Sequence, residues 1–137
     1  MADIPQSTKK GVLIDATSAR FALQYAGDNF AGVEMPAGGT PVEVRPGGRN
    51  GKLYPCASGV FAGITPENKR AGQPSTYFGT GTVFHASDDG LLVVGALYYV
   101  SATPGRIADA PTAKDSKGAF FAVTPYDLQV IRVGSLT

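Results

Sequence analysis

The chain has 137 residues, 43% of them hydrophobic, which is enough for one domain with a real core and excludes wholesale disorder. Twelve Lys and Arg stand against 11 Asp and Glu, for a net charge of +1, and no basic excess gathers anywhere, so nucleic acid is disfavoured as the main ligand. The single cysteine, Cys56, forms no intrachain bridge, which fits assembly in a reducing cytoplasm.

Residues 1–11 carry Pro5, Lys9 and Lys10 and little to bury, so they read as a flexible N-terminal arm that either frays or orders on a partner. They also lack the apolar stretch of a signal peptide. Residues 12–137 read as a single β-rich domain. The 18 Gly and 10 Pro have no fixed period, which excludes collagen and signals many tight turns.

Short β-like runs follow at 12–15, 20–25 and 32–35. In the Pro- and Gly-rich stretch 36–51, Val42 and Val44 alternate with Glu43 and Arg45, the pattern of a half-buried strand. Further strands are expected at 52–56, 60–65, 76–78, 82–86, 91–94 and 97–101, then at 106–108, 119–124 and 128–133. No helix of ten residues shows a 3.6 period; a single helical turn fits only near 66–70 or 112–117. The longest apolar run, 91–100, is broken by Gly95 and is too short to span a bilayer.

One stretch is repeated. Gly59-Val60-Phe61-Ala62-Gly63-Ile64-Thr65-Pro66 matches Gly118-Ala119-Phe120-Phe121-Ala122-Val123-Thr124-Pro125, identical at four of eight positions. Upstream, Gly51-Lys52-Leu53 resembles Gly105-Arg106-Ile107, and a strand with a Pro-Gly turn precedes each copy. From Gly51 to Gly59 is 8 positions and from Gly105 to Gly118 is 13, so the second loop is five residues longer. A repeated hairpin unit predicts an all-β fold: a small β-barrel or β-sandwich of short antiparallel strands with internal pseudo-symmetry.

Chemistry is sparse. His85 is the only histidine, so any His-based triad has one base, and Ser87-Asp88-Asp89-Gly90 after it reads as a turn rather than as metal ligands. Cys56 reads as a small buried hydrophobe rather than a nucleophile. The stretch Arg45-Pro46-Gly47-Gly48-Arg49-Asn50-Gly51-Lys52 lacks the Ser/Thr and helix of a phosphate loop and reads as a polar β-turn. No pair among the scattered carboxylates stands out as a glycosidase couple. Tyr98-Tyr99 and Phe120-Phe121 each place one ring on either face of a strand, one for the core and one for a second layer, a neighbouring subunit or solvent. The expectation is a structural module with no enzymatic activity, no cofactor and no metal.

The pieces Gly51–Ile64 (G-K-L-Y-P-C-x-x-G-x-F-A-G-I), Gly95–Ile107 (G-x-L-Y-Y-V-S-x-T-P-G-R-I) and Gly118–Val133 together resemble the cement, or head-decoration, proteins of tailed bacteriophages. The resemblance covers under half of the chain and rests on structural motifs of common residues; it carries over no catalytic residue. It implies a virion protein made in the host cytoplasm and docked on the capsid exterior. Its partners would be the major capsid protein and its own copies, as a homotrimer that bridges capsomers. The alternative is a carbohydrate-binding module of a phage fibre or adhesin, with Tyr25, Tyr77 or Tyr126 as stacking platform. Candidate partner contacts are Ile4, Pro5, Lys9 and Lys10 in the arm and Arg45, Arg49 and Lys52 in the polar loop, where cations would meet acidic rims.

Overall fold

A computed structural model describes residues 3–15, 24–25, 30–46, 51–57 and 60–137. Every regular element among them is a strand, as the density of Gly, Pro and β-branched residues requires. In chain order these are β1 (Leu13–Asp15), β2 (Gln24–Tyr25), β3 (Phe30–Ala31), β4 (Pro41–Arg45), β5 (Lys52–Pro55), β6 (Val60–Phe61) and β7 (Gly63–Ile64). They continue with β8 (Tyr77–Phe78), β9 (Val83–His85), β10 (Leu97–Val100), β11 (Ile107–Ala108), β12 (Phe120–Ala122), β13 (Asp127–Val130) and β14 (Gly134–Ser135).

Two six-stranded sheets result, ordered β1-β9-β13-β12-β10-β11 and β2-β8-β7-β4-β5-β3, with β14 and β6 as a separate ribbon. One sheet curls into a half-barrel. The expected all-β build is therefore present, and all pairings are antiparallel except β3 with β5. Both sheets feed one apolar interior. Phe61 from the ribbon and Ile64 and Phe78 from the second sheet pack with Phe84, Phe120, Leu128 and Val130 of the first. Phe120 lies edge-on to Phe61 (5.4 Å) and to Phe84 (5.8 Å), the arrangement aromatic quadrupoles favour. A smaller cluster of Ala31, Met35, Val42 and Leu53 packs separately, with Tyr77 against it.

The sequence repeat is a topological repeat. The run β5-β4-β7-β8 in one sheet and β11-β10-β12-β13 in the other have the same order and the same antiparallel senses. Leu53 lies opposite Val44, and its counterpart Ile107 opposite Val100. The third strand is slid: Val42 faces Gly63, whereas Tyr98 faces Phe120, two residues from the repeat partner Ala122. A slip of two keeps every side chain on its face. Gly63 is required in its copy because a Cβ there would stand 2.3 Å from the Phe78 carbonyl oxygen.

The longer second loop is organised by a buried charge. Asp115 has no exposed surface, and its carboxylate accepts four backbone N–H groups. Oδ2 takes Val100 (2.8 Å) and Ala119 (3.1 Å), and Oδ1 takes Lys117 (3.0 Å) and Gly118 (2.7 Å). Such a set of donors replaces the water the carboxylate gave up. Paired N–H···O contacts between Thr112 and Asp115 close a turn, so the segment is not the helical turn its composition allows.

Other expectations are corrected. In β4 the alternation fails: Val42 and Glu43 are buried and Val44 is exposed. Glu43 is tied inward because it accepts the Ala57 N–H and the Arg45 Nε, both at 2.6 Å. The strand expected at 32–35 sits earlier, at β3, and Met35 makes only an isolated bridge with Lys69. Four residues of the run at 20–25, residues 20–23, lie outside the described residues, and Gln24–Tyr25 is a strand. The strand expected at 91–94 does not form, since its amides bond to a side chain, a loop carbonyl and a tyrosine rather than to a neighbouring strand.

Residues 3–8 lie extended along the molecule. Asp3 bridges Ala108, the Ile4 amide donates to Ile107 O (2.9 Å) and Gln6 Oε1 accepts the Ile107 amide (3.0 Å). This covers the outer edge of β11, which otherwise presents unpaired backbone groups.

Candidate partner-binding face

The connection from β9 to β10 carries several of the most exposed apolar side chains among the described residues. Leu91, Val93 and Val94 are 73%, 64% and 57% exposed, and Leu97 at the start of β10 is exposed as well. The backbone beneath them is firmly held. The Leu91 amide donates to Asp89 Oδ1 (3.1 Å), Leu92 to Pro125 O (3.2 Å), Val93 to the Tyr98 hydroxyl (2.9 Å) and Gly95 to Ala122 O (2.9 Å). Leu92 points inward and is buried, and Tyr98 is buried up to the hydroxyl that clamps the loop. Gly95, at φ +88°, makes the reversal into β10 that an L side chain resists. The loop's backbone is tied by these hydrogen bonds, and its aliphatic side chains face water.

Beside it lies a cleft of about 530 Å³ between the arm, the loop and β10. Its apolar lining includes Ile4, Leu92, Ala96 and Leu97. The charged residues that line it are Asp3, Asp89 and Asp109.

The expected contact residues are dispersed. Ile4 packs in the core, where it anchors the arm beside β11, and it also lines the cleft. Pro5 is exposed and lines the cleft. Lys9 and Lys10 are exposed, with their carbonyls engaged by Gly38 and Asn68. Arg45 and Lys52 face each other across β4 and β5; Arg45 bonds Glu43 and lies 4.1 Å over the Tyr54 ring. Arg49 lies outside the described residues. The structure thus joins Arg45 to Lys52, and Ile4 and Pro5 at the cleft. The exposed loop is what sequence reading missed. Its signal was an apolar run without alternation between two glycines, Leu91-Leu92-Val93-Val94, which reads equally as a buried strand.

His85 occupies a polar knot rather than a nucleophilic relay. Its Nε2 is 2.7 Å from Asp88 Oδ1 and its Nδ1 is 3.6 Å from Asp127 Oδ1. The Ser7 hydroxyl donates to Asp88 (2.9 Å), not to the imidazole, and the Thr8 amide donates to the same carboxylate (3.2 Å). The His85 ring foremost, then Thr8 and Ser7, hold the Asp88 carboxyl down to about 2. Tyr126 stacks on the ring with centroids 6.2 Å apart. The arrangement pins the arm to the 87–90 turn. Among the described residues no group of three His, Cys, Asp or Glu side chains is placed to hold a metal ion. Cys56 is fully buried with its thiol toward Val60 O (3.7 Å), the position of a small core residue.

In comparisons with known proteins, the chain matches no family model, no curated protein and no solved structure.

Proposed function

We propose that this chain is a structural decoration protein that binds the outside of a bacteriophage capsid and braces the shell by bridging capsomers, with no enzymatic activity of its own. The observation that carries the reading is the exposed aliphatic loop of Leu91, Val93 and Val94 on a hydrogen-bonded backbone. Exposed apolar surface of this kind marks a contact site, and covering it stabilises the contact by about 25 cal/mol per Å² of apolar area removed from water. The sequence resemblance to head-decoration proteins supplies the kind of partner. Self-association into a cyclic trimer fits the same reading, since many modest, symmetric contacts multiply affinity. Purified protein mixed with undecorated shells is expected to co-sediment saturably at roughly micromolar concentration. Protein that stays in the supernatant contradicts the reading.

A second reading, a carbohydrate-binding module, draws on one observation. The Tyr126 ring is exposed and stacked on His85, an aromatic platform of the sort sugars use. It predicts saturable glycan binding that Tyr126→Ala abolishes, and a blank glycan array ends it.

A further inference from the structure

A second cleft, of about 310 Å³, opens between the arm, residues 34–40 and the turn at Pro104-Gly105. Arg106, which leads into β11, lines it. Arg106 is the repeat counterpart of Lys52, but Lys52 is exposed, whereas Arg106 is half-buried with its Nη2 donating to Ile4 O (2.8 Å) in the arm. Among the described residues that is the guanidinium's one hydrogen bond. No carboxylate pairs with it, and its Nε is buried without an acceptor. A buried N–H left unpaired costs free energy, and the planar donor fork of an arginine matches the two oxygens of a carboxylate.

The other side-chain donors that line the cleft are engaged. Gln6 Nε2 donates to Gly105 O (3.4 Å) and Thr40 Oγ1 to Ala37 O (3.0 Å), while the Ser7 and Thr8 hydroxyls donate to Asp88 (2.9 and 3.5 Å). Arg106 is therefore the side chain there with donors to spare. Pro36, Pro55 and Pro104 give the walls an apolar part. Gly105, at φ +77°, brings the turn close to Pro55, whose Cβ would stand 3.1 Å from a Cβ added to the glycine. Glu34, exposed and not paired with Arg106, also lines the cleft. Its negative charge weighs against a ligand with two negative charges, such as phosphate.

We infer that this cleft binds, through Arg106, a carboxylate on a short aliphatic stem: a free carboxylic acid, or an aspartate or glutamate side chain of a partner. The test titrates the full chain with N-acetylglutamate amide, its neutral glutamine counterpart, butyrate and inorganic phosphate, followed by NMR shifts of the amides and of the Arg106 side chain. The glutamate compound is expected to shift Gln6, Arg106 and Ile107 saturably and to bind about tenfold more tightly than the glutamine compound, with added salt weakening it. Arg106→Gln is expected to erase that preference. Because Arg106 also ties the arm, Glu34→Gln, an exposed change, serves as a second variant. It is expected to tighten the glutamate compound about threefold and to leave the glutamine compound unchanged. Butyrate as tight as the glutamate compound assigns a free acid, and weaker butyrate assigns a partner's side chain. Equal binding of the glutamate and glutamine compounds overturns the inference, as do tighter binding of phosphate, shifts that map elsewhere or no saturable shift at all. A folded Arg106→Gln protein that keeps the full preference, or no gain from Glu34→Gln, overturns it as well.

Discussion

Phe61, Phe84 and Phe120 are at most 1% exposed, while Leu91, Val93 and Val94 are at least 57% exposed, yet both groups sit on well-fixed backbone. The first group is fixed by packing: Phe120 of the first sheet meets Phe84 of the same sheet and Phe61 of the ribbon edge-on in the core. The second is fixed by hydrogen bonds from its amides to Asp89, Pro125 and Tyr98, with the side chains left outside. Burial explains itself, since water is excluded. Rigidity without burial does not stabilise the lone molecule through the side chains it displays. It presents them, which is what a contact surface requires.

The largest way to break this contrast is in the interior. Phe120→Ala leaves a cavity between Phe61 and Phe84 and is expected to cost about 4 kcal/mol in denaturant unfolding. Leu91→Ala, a comparable truncation on the face, is expected to cost under about 0.5 kcal/mol. Equal costs erase the distinction. Next is Asp115→Asn, which sets a side-chain NH₂ against two of the four amides that the carboxylate satisfies. About 3 kcal/mol of unfolding free energy is expected to go with it. Tyr98→Phe removes only the hydroxyl that takes the Val93 amide. It is expected to cost about 1 kcal/mol and to speed hydrogen exchange at Val93, so that the loop's rigidity is tested apart from its apolarity.

The smallest effect is in acid. Asp88 is held at about 2 against an ordinary 3.8, chiefly by His85. Its folded pKa lies below the unfolded one, so its contribution to the arm's tie is complete above about pH 4 and fades as the pH falls toward 2. Exchange protection of the Thr8 amide, which donates to Asp88, is expected to persist at pH 5 and to decline near pH 2. Asp88→Asn is expected to flatten that dependence; an unchanged profile means that the tie lies elsewhere.

Much of the fold was legible because its signals are local. Gly and Pro density announced the strands, and the Gly-x-Phe repeat announced two copies of one unit, down to the paired Phe61 and Phe120. Doublets such as Tyr98-Tyr99 and Phe120-Phe121 split as alternation demands, the first ring of each buried and the second only partly so. Non-local features were not legible. Glu43 is buried because Ala57, fourteen residues away, needs an acceptor. Ile4 is buried because β11, a hundred residues away, needs an edge cover. The face was the least legible part: an apolar run reads the same whether a sheet covers it or nothing does, and only the partners of its amides separate the two cases.

The most direct measurement is co-sedimentation of wild-type and Val93→Asp protein with undecorated capsid shells, alongside their unfolding curves. The account predicts superimposable unfolding and loss of shell binding in the variant. Undiminished shell binding by a folded Val93→Asp protein contradicts it.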